Sequence, residues 1–334
     1  MGVLLHHLYY TRSTTVKIKI NKHYIFLQDF FKQKGTTMKL YAPKYYQEFK
    51  CIADRCEHSC CIGGERDVDT DTLKKSTALK SGYGPVIANS ICMSDTPHFK
   101  LGEHDRCPHL NERGLCEIIL HEGEEYLCDI CREHPRFYNY TDIAEVAIGM
   151  SCPEAARTIL RSPDYAVMQE IGHVDTIADG IEFDGRAERS RLYAILQDTA
   201  LDYQARLESI YSQYAIDAGA DAPWLETLAS LEYLDAAHQD MFTTYSSKRR
   251  PRDKDEYLER FLAYFIYRHC TEALDADDFD ARLAFCLFCE RLLASLICSE
   301  DAQSLHQIAA LASVISEEIE YSDDNTYTLM YGLA

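Results

Sequence analysis

From about residue 186 to 320, apolar residues return at three- and four-residue steps, the period of a helix with one face in a core. The stretch "AERSRLYAILQDTALDYQARLESIYSQYAI" repeats Leu, Ile and Tyr in this way and predicts one long amphipathic helix. "DKDEYLERFLAYFIYRHCTEAL" predicts another, its acidic start suited to the positive end of a helix dipole. Two more follow in "DARLAFCLFCERLLASLICS" and "DAQSLHQIAALASVISEEIE". The text from 38 to 160 lacks this period and is rich in Cys, Gly, Pro and His, which predicts short irregular elements. No β-rich run and no internal repeat is evident. The expected fold is mainly α, an irregular cysteine-rich metal-binding region packed on a helical C-terminal half. The expected units are a cysteine-rich domain over 38–162, a Gly/Asp-dotted linker over 163–186 and a helical domain over 187–334.

Residues 1–37 stand apart, with six basic residues and one acid ahead of a strongly acidic remainder. Because "MKLYAPKYYQEF" reads as a fresh start at Met38, the preceding segment is expected to be a non-native or disordered extension. The chain as a whole has 34 basic and 54 acidic residues, a net charge of −20. That balance excludes a nucleic-acid binder relying on Lys and Arg to neutralise phosphates. It suits either a basic partner or plain solubility. No apolar run approaches the ~20 residues of a membrane span. "MGVLLHHLYY" lacks the flanks of a secretory signal, and His6 stands where a myristoylation start has Ser or Thr. The expected location is the cytoplasm.

Ten of the 14 cysteines lie between Cys51 and Cys152. In a reducing compartment such a cluster suggests metal binding rather than disulfides. Four patches carry it: "FKCIADRCEHSCC", "CPHLNERGLC", "LCDICREHPRF" and "SCPEAARTIL". The second has a turn signal at Asn111–Gly114 that would bring Cys107 and Cys116 together. In the fourth, Cys152-Pro153 leads into a helix, with Pro suited to its first turn. Neighbours such as "DRCEHSCC" and "HDRCPHL" are too polar for core text. Cys270, Cys286, Cys289 and Cys298 sit in apolar helical text and read as small core hydrophobes.

Thiolate-rich sites suit zinc and iron–sulfur clusters alike. Side chains of neighbouring residues diverge, so Cys60 and Cys61 are awkward ligands for one ion. Either one ligates and one packs, or they serve different centres. His58, His98, His104, His109, His121 and His134 lie nearby; any could ligate, but each taken alone reads as a polar surface residue.

In order along the chain, "YYQEFKCIADRCEHSCC", "CPHLNERGLCEIILHEGEEYLCDICREHPRF", "SCPEAAR" and "YLERFLAYFIYRHC" resemble the flagellin lysine-N-methylase family, over roughly residues 38 to 300. The family's cysteine half is itself related to zinc- or iron-chelating domains. The resemblance places metal ligands at Cys51, Cys56, Cys60, Cys61, Cys107, Cys116, Cys131 and Cys152, with Cys92 and Cys128 outside the shared pattern. After the cysteine pair the family tends to carry Gly-Trp, where this chain has Ile62-Gly63-Gly64. The activity implied is N-methylation of flagellin lysines with S-adenosylmethionine as donor, at an iron–sulfur or zinc centre. No strand–GxGxxG–helix unit marks a donor site. Glu124, Glu125 and Tyr126 read as a solvated turn or as groups guiding a lysine. Arg132, Arg136 and Arg157 read as charges balancing thiolates, or as partners of a donor carboxylate. The alternatives are a non-enzymatic metal-binding module that engages a protein partner, and an electron-transfer protein.

Overall fold

The computed structural model describes residues 17–20, 23–26, 36–64, 66–80, 82–176, 183–217, 221–245 and 252–332. Most of the extension expected over 1–37 therefore lies outside the described residues. The strands are β1 (Lys17–Ile20), β2 (His23–Phe26), β3 (Thr36–Pro43), β4 (Ile91–Cys92), β5 (His98–Phe99), β6 (Arg136–Tyr140), β7 (Ala144–Ile148) and β8 (Met168–Thr176). β1 pairs with β2 and β4 with β5, while β6-β7-β3-β8 form one four-stranded sheet. Within it β3 runs parallel to β7 and antiparallel to β8. The protein is mainly α nonetheless, since the described residues hold 13 α-helices.

The first helices are short: α1 (Thr70–Ala78), α2 (Gly84–Ser90), α3 (Glu117–Glu122), α4 (Asp129–Glu133) and α5 (Pro153–Arg161). After the sheet come α6 (Gly185–Leu196), α7 (Tyr203–Gln213), α8 (Asp221–Ser230), α9 (Ala236–Thr243), α10 (Asp255–Cys270), α11 (Ala276–Ser299), α12 (Leu305–Ile315) and α13 (Asp323–Tyr331). The single helix expected across 187–216 is two helices. The first ends at Leu196, and Asp202 starts the second, its carboxylate accepting from Ala205 N as the new N-cap. The helix expected over 301–320 also changes character, turning from α12 into a π-helical segment at Ser316–Glu320.

Two cores organise the chain. The larger gathers α5–α7 and α10–α12 around α11, whose residues are buried on every side from Phe285 to Ile297. A helix apolar all round belongs in the middle of a bundle. The smaller core is Val68, Ile87, Ile91, Phe99, Ile118, Leu127 and Cys128, and it supports a lobe made from the cysteine-rich text. The sheet was not foreseen because its inner strand β7 is buried at all five positions and shows no alternation. β8 lies within the stretch read as a linker.

Glu145 on β7 and Arg189 on α6 form a buried two-pronged ion pair, with nitrogen–oxygen distances of 2.9 and 2.7 Å. Arg189 also donates to Thr271 Oγ1 at 2.8 Å and lies over the Tyr267 ring. The π-helical segment forms a second set of ties. Glu320 accepts from His269 Nε2 at 2.6 Å and from Tyr264 at 3.1 Å, and pairs with Arg268. Glu318 accepts from Leu234 N, Asp235 N and His238 Nδ1.

Glu145→Ala leaves the Arg189 guanidinium buried without its carboxylate, and the expected cost is about 3–5 kcal/mol. A Glu145→Leu, Arg189→Leu double variant should recover most of the lost denaturant midpoint; a single variant as stable as the parent would contradict the role given to the pair. The hydrogen bond that His238 donates to Glu318 raises the His238 pKa above its ordinary value. That contribution is fully present below about pH 6.5 and is lost as pH rises through the raised folded value. Melting temperature should therefore fall over that window in the parent and less so in His238→Gln.

Candidate metal centre

Turns and helix starts, rather than regular elements, set the thiols. Cys51 leads into a 3-10 turn at Ala53–Arg55, its Sγ accepting from Ala53 N at 3.4 Å. Cys56 Sγ donates to the His58 carbonyl at 2.7 Å. Cys61 is held by backbone: its carbonyl accepts from Cys107 N at 2.9 Å, next to a bridge between Ile62 and Arg106. The turn expected at Asn111–Gly114 is present. Asn111 Oδ1 accepts from Arg113 N and Leu115 N, Gly114 takes φ +75°, and Leu110 bridges to Cys116. The left-handed φ is one that glycine adopts without steric cost.

Cys116, Cys128 and Cys152 occupy the N-cap positions of α3, α4 and α5. The turn ahead of Cys152 is fastened from the helical body. Met150 N donates to Tyr264 Oη at 3.1 Å, and Ser313 Oγ donates to the Ser151 carbonyl at 3.0 Å. A Cβ at Gly149 would meet Arg268 Nη1 at 2.8 Å, so a side chain there would require that guanidinium to shift. The opening cysteine stretch is fastened to the same body, through His58 to Glu317 at 2.9 Å and Glu57 to His306 at 3.1 Å.

Within the cysteine-rich text, two pairs of sulfurs meet. Cys128 Sγ lies 3.2 Å from Cys131 Sγ, and Cys60 and Cys61 are in side-chain contact. The contact with Cys60, with help from Arg66, Ser59 and Arg106, lowers the Cys61 pKa to about 6. The same contact pushes the Cys60 thiol up. Burial raises Cys107 and Cys152 each to about 11. Cys128 is lowered by its bond with Cys131, whose own thiol is driven up. Cys128 was set outside the pattern in the sequence. Its C-x2-C spacing with Cys131 was the signal for its place. Arg66 and Arg106, the cations acting on Cys61, carried no signal of their own.

The other candidates fall differently. Arg132 pairs with Asp129 and Glu133, Arg136 donates to Tyr46, and Arg157 pairs with Glu154 at 2.8 Å. These arginines brace local structure. Glu124 and Glu125 are exposed in a 3-10 turn behind Gly123, while Tyr126 at its end packs against the smaller core. His109 is not a surface residue: it is buried against Phe99, bonded to Ser90 and Tyr83, and its pKa is lowered to about 4 by burial. Cys270, Cys286 and Cys289 are fully buried in the main core, as their apolar text implies. All 14 cysteines are free thiols. Among the described residues, no group of three or more His, Cys, Asp or Glu side chains stands close enough to hold a metal ion as drawn. The donor set is nevertheless that of a zinc or iron–sulfur site, thiols gathered on turns with few carboxylates between them. His134 adds one orphan donor atom: its Nδ1 bonds Tyr321 Oη at 2.9 Å, while its buried Nε2 has no partner among the described residues.

Contact with Cys60 and the Arg66 and Arg106 guanidiniums hold the Cys61 thiol below its ordinary value. In the reduced, metal-free chain iodoacetamide should modify it faster than Cys107 or Cys152, on the order of tenfold or more. Peptide mass spectrometry of a time course checks this; equal rates would contradict the electrostatics described.

No family model matches the chain, and no solved structure does. Among characterised proteins, the chain is 28% identical over 136 residues to flagellar biosynthetic protein FliU of Salmonella muenchen, covering 38% of this chain and 80% of that protein. It is also 28% identical over 136 residues to the lysine-N-methylases of Salmonella typhimurium and Salmonella choleraesuis, covering 38% of this chain and 34% of each. The chain thus spans about a third of the length of those lysine-N-methylases. Over that part it is similar to them and to a flagellar biosynthetic protein, the same family that its cysteine patches resemble.

Proposed function

We propose that the protein is a cytoplasmic protein-lysine N-methyltransferase acting on flagellin, with S-adenosylmethionine as donor and a cysteine-ligated metal centre. The observation that carries this reading is the identity over 136 residues with proteins named lysine-N-methylase, alongside a flagellar protein. The free thiols agree with a reducing compartment. No helix among the described residues is long and apolar enough to cross a membrane.

The chemistry asks for two things. A lysine amine, with an ordinary pKa near ~10.4, must shed its proton to a base or to solvent. Its lone pair then attacks the sulfonium methyl in line, forming the N–C bond as the S–C bond breaks and the thioether leaves. A net charge of −20 favours approach of a lysine-bearing surface. Cys51, Cys56, Cys60, Cys61, Cys107, Cys116, Cys131 and Cys152 would hold the metal. A bound centre would lock these turns together, so that metal-binding energy becomes folding energy.

A second reading rests on the matched lengths. The similar region fills most of the FliU protein but a third of the lysine-N-methylases. The shared part could therefore be a metal-binding module that engages a protein partner without catalysis.

The test is incubation of the anaerobically prepared chain with methyl-labelled S-adenosylmethionine and flagellin. Label on flagellin lysines, located by peptide mass spectrometry, is the expected result. A metal-replete chain that binds no donor and labels no lysine would leave the module reading in its place. Cys289→Ser, in the helical core, should leave metal content unchanged, while Cys116→Ser should lower it and destabilise the small lobe.

A further inference from the structure

We infer that the hollow between α8 and α9 is a docking site for a lysine-flanked apolar segment of a protein, the class of segment on which the proposed methylation acts. The inference rests on that reading for the partner's identity, and the thiols play no part in it. Leu228 and Ala229 of α8, Phe242 and Thr243 of α9 and Tyr233 from the connection between them form the walls of the hollow. Its volume is about 150 Å³. An apolar cavity of about that size holds a benzene-sized group, so this one takes a single aliphatic or aromatic side chain. The hollow opens to solvent where Ala229 and Thr243 are exposed, and Leu234, next to Tyr233, is 63% exposed.

The rest of the molecule holds this shape in advance. Leu234 N and Asp235 N donate to the Glu318 carboxylate at 2.8 and 3.2 Å, and Glu232 N donates to Asn325 Oδ1 at 3.1 Å. Tyr233 Oη donates to the Leu228 carbonyl at 2.8 Å, which sets its ring against the hollow. Gln239 Nε2 spans the two helices to the Ala229 carbonyl at 3.1 Å. Trp224 stacks on Phe288, anchoring α8 to the main core. A partner therefore meets a surface that needs little ordering on binding.

Charge decides which segment fits. From Leu207 to Ser247 the chain has seven acids and no Lys or Arg. Glu226 and Asp240 are exposed, and each stands one helical turn before a rim residue, Ala229 and Thr243 respectively. Residues three apart on a helix are surface neighbours, so both carboxylates flank the mouth. Glu232 and Asp235 are exposed on the connection beside it. His238 is engaged by Glu318 and does not offset them at the rim. An apolar hollow with an acidic rim selects an apolar side chain flanked by lysines over one flanked by acids.

Fluorescence anisotropy of labelled peptides on the full chain, without methyl donor, tests the site. An amphipathic Leu/Lys peptide should bind, and more weakly as salt rises. Its Leu/Glu and Ser/Lys counterparts should each bind about tenfold more weakly or worse. Ala229→Phe, which sets a ring across the mouth, and the Glu226→Lys, Asp240→Lys double variant should each weaken the Leu/Lys peptide by about tenfold or more. In the flagellin labelling assay the same variants should raise KM and leave kcat unchanged. No binding of the Leu/Lys peptide, equal binding of the Ser/Lys peptide, or parent-like affinity in both variants overturns the docking site. The comparison of peptides on the parent chain does not depend on the variants folding. Peptide binding that responds to the variants while no flagellin is labelled keeps the docking site and removes the methylation reading. Labelling with a parent-like KM in both variants does the reverse.

Discussion

The cysteine stretch 51–61 lies between two separately packed cores, and the ties that grip it from each side set where its thiols stand. On the lobe side the Cys61 carbonyl takes the Cys107 N–H, and on the side of the helical body built round α11 His58 reaches Glu317. Neither core alone collects the cysteines. The lobe contributes Cys107, Cys116 and Cys131 from turns and short helix starts, and the body contributes Cys152 from the start of α5. The stretch 51–61 is the seam, and its conformation is set by what grips it from both sides.

On the body side, the grip comes from the π-helical segment Ser316–Glu320. Its glutamates point three ways: Glu317 to His58 in the cysteine stretch, Glu318 to His238 and the backbone ahead of α9, and Glu320 to His269, Arg268 and Tyr264. Tyr264 in turn holds Met150 two residues before Cys152. π-helical turns recur at functional sites because the wider turn re-aims side chains that an α-helix would stack. Here the re-aimed carboxylates connect the helical core to both cysteine segments that face it. The lysine-methylase reading gains a physical frame from this. A thiol-rich site sits between a rigid body and a small lobe, on an acidic protein suited to basic partners.

Much of this was legible in residue order. The three- and four-residue steps gave the helical half, the Asn111–Gly114 turn and the Cys152-Pro153 helix start were readable from local chemistry, and the apolar text marked Cys286 and Cys289 as core. Other features depend on tertiary context. The break between α6 and α7 hangs on one capping aspartate within a continuous apolar pattern. β7 is buried on both faces, so its sequence carries no alternation to read. His109 sits among charged and polar text yet is enclosed by Tyr83 and Ser90 at the two ends of α2 and by Phe99 of β5. The pairing of Cys128 with Cys131 was visible as spacing, but the arginines that steady Cys61 come from Arg66 and Arg106, far apart in the chain from one another.

The claim on which the account turns is that the thiols, and not the histidines or carboxylates around them, bind metal. X-ray absorption at the metal edge of the anaerobically purified chain tests it most directly. The account predicts a first shell of sulfur at about 2.3 Å. A shell dominated by nitrogen or oxygen near about 2.0–2.1 Å, or a chain purified without metal that takes up none, would contradict it.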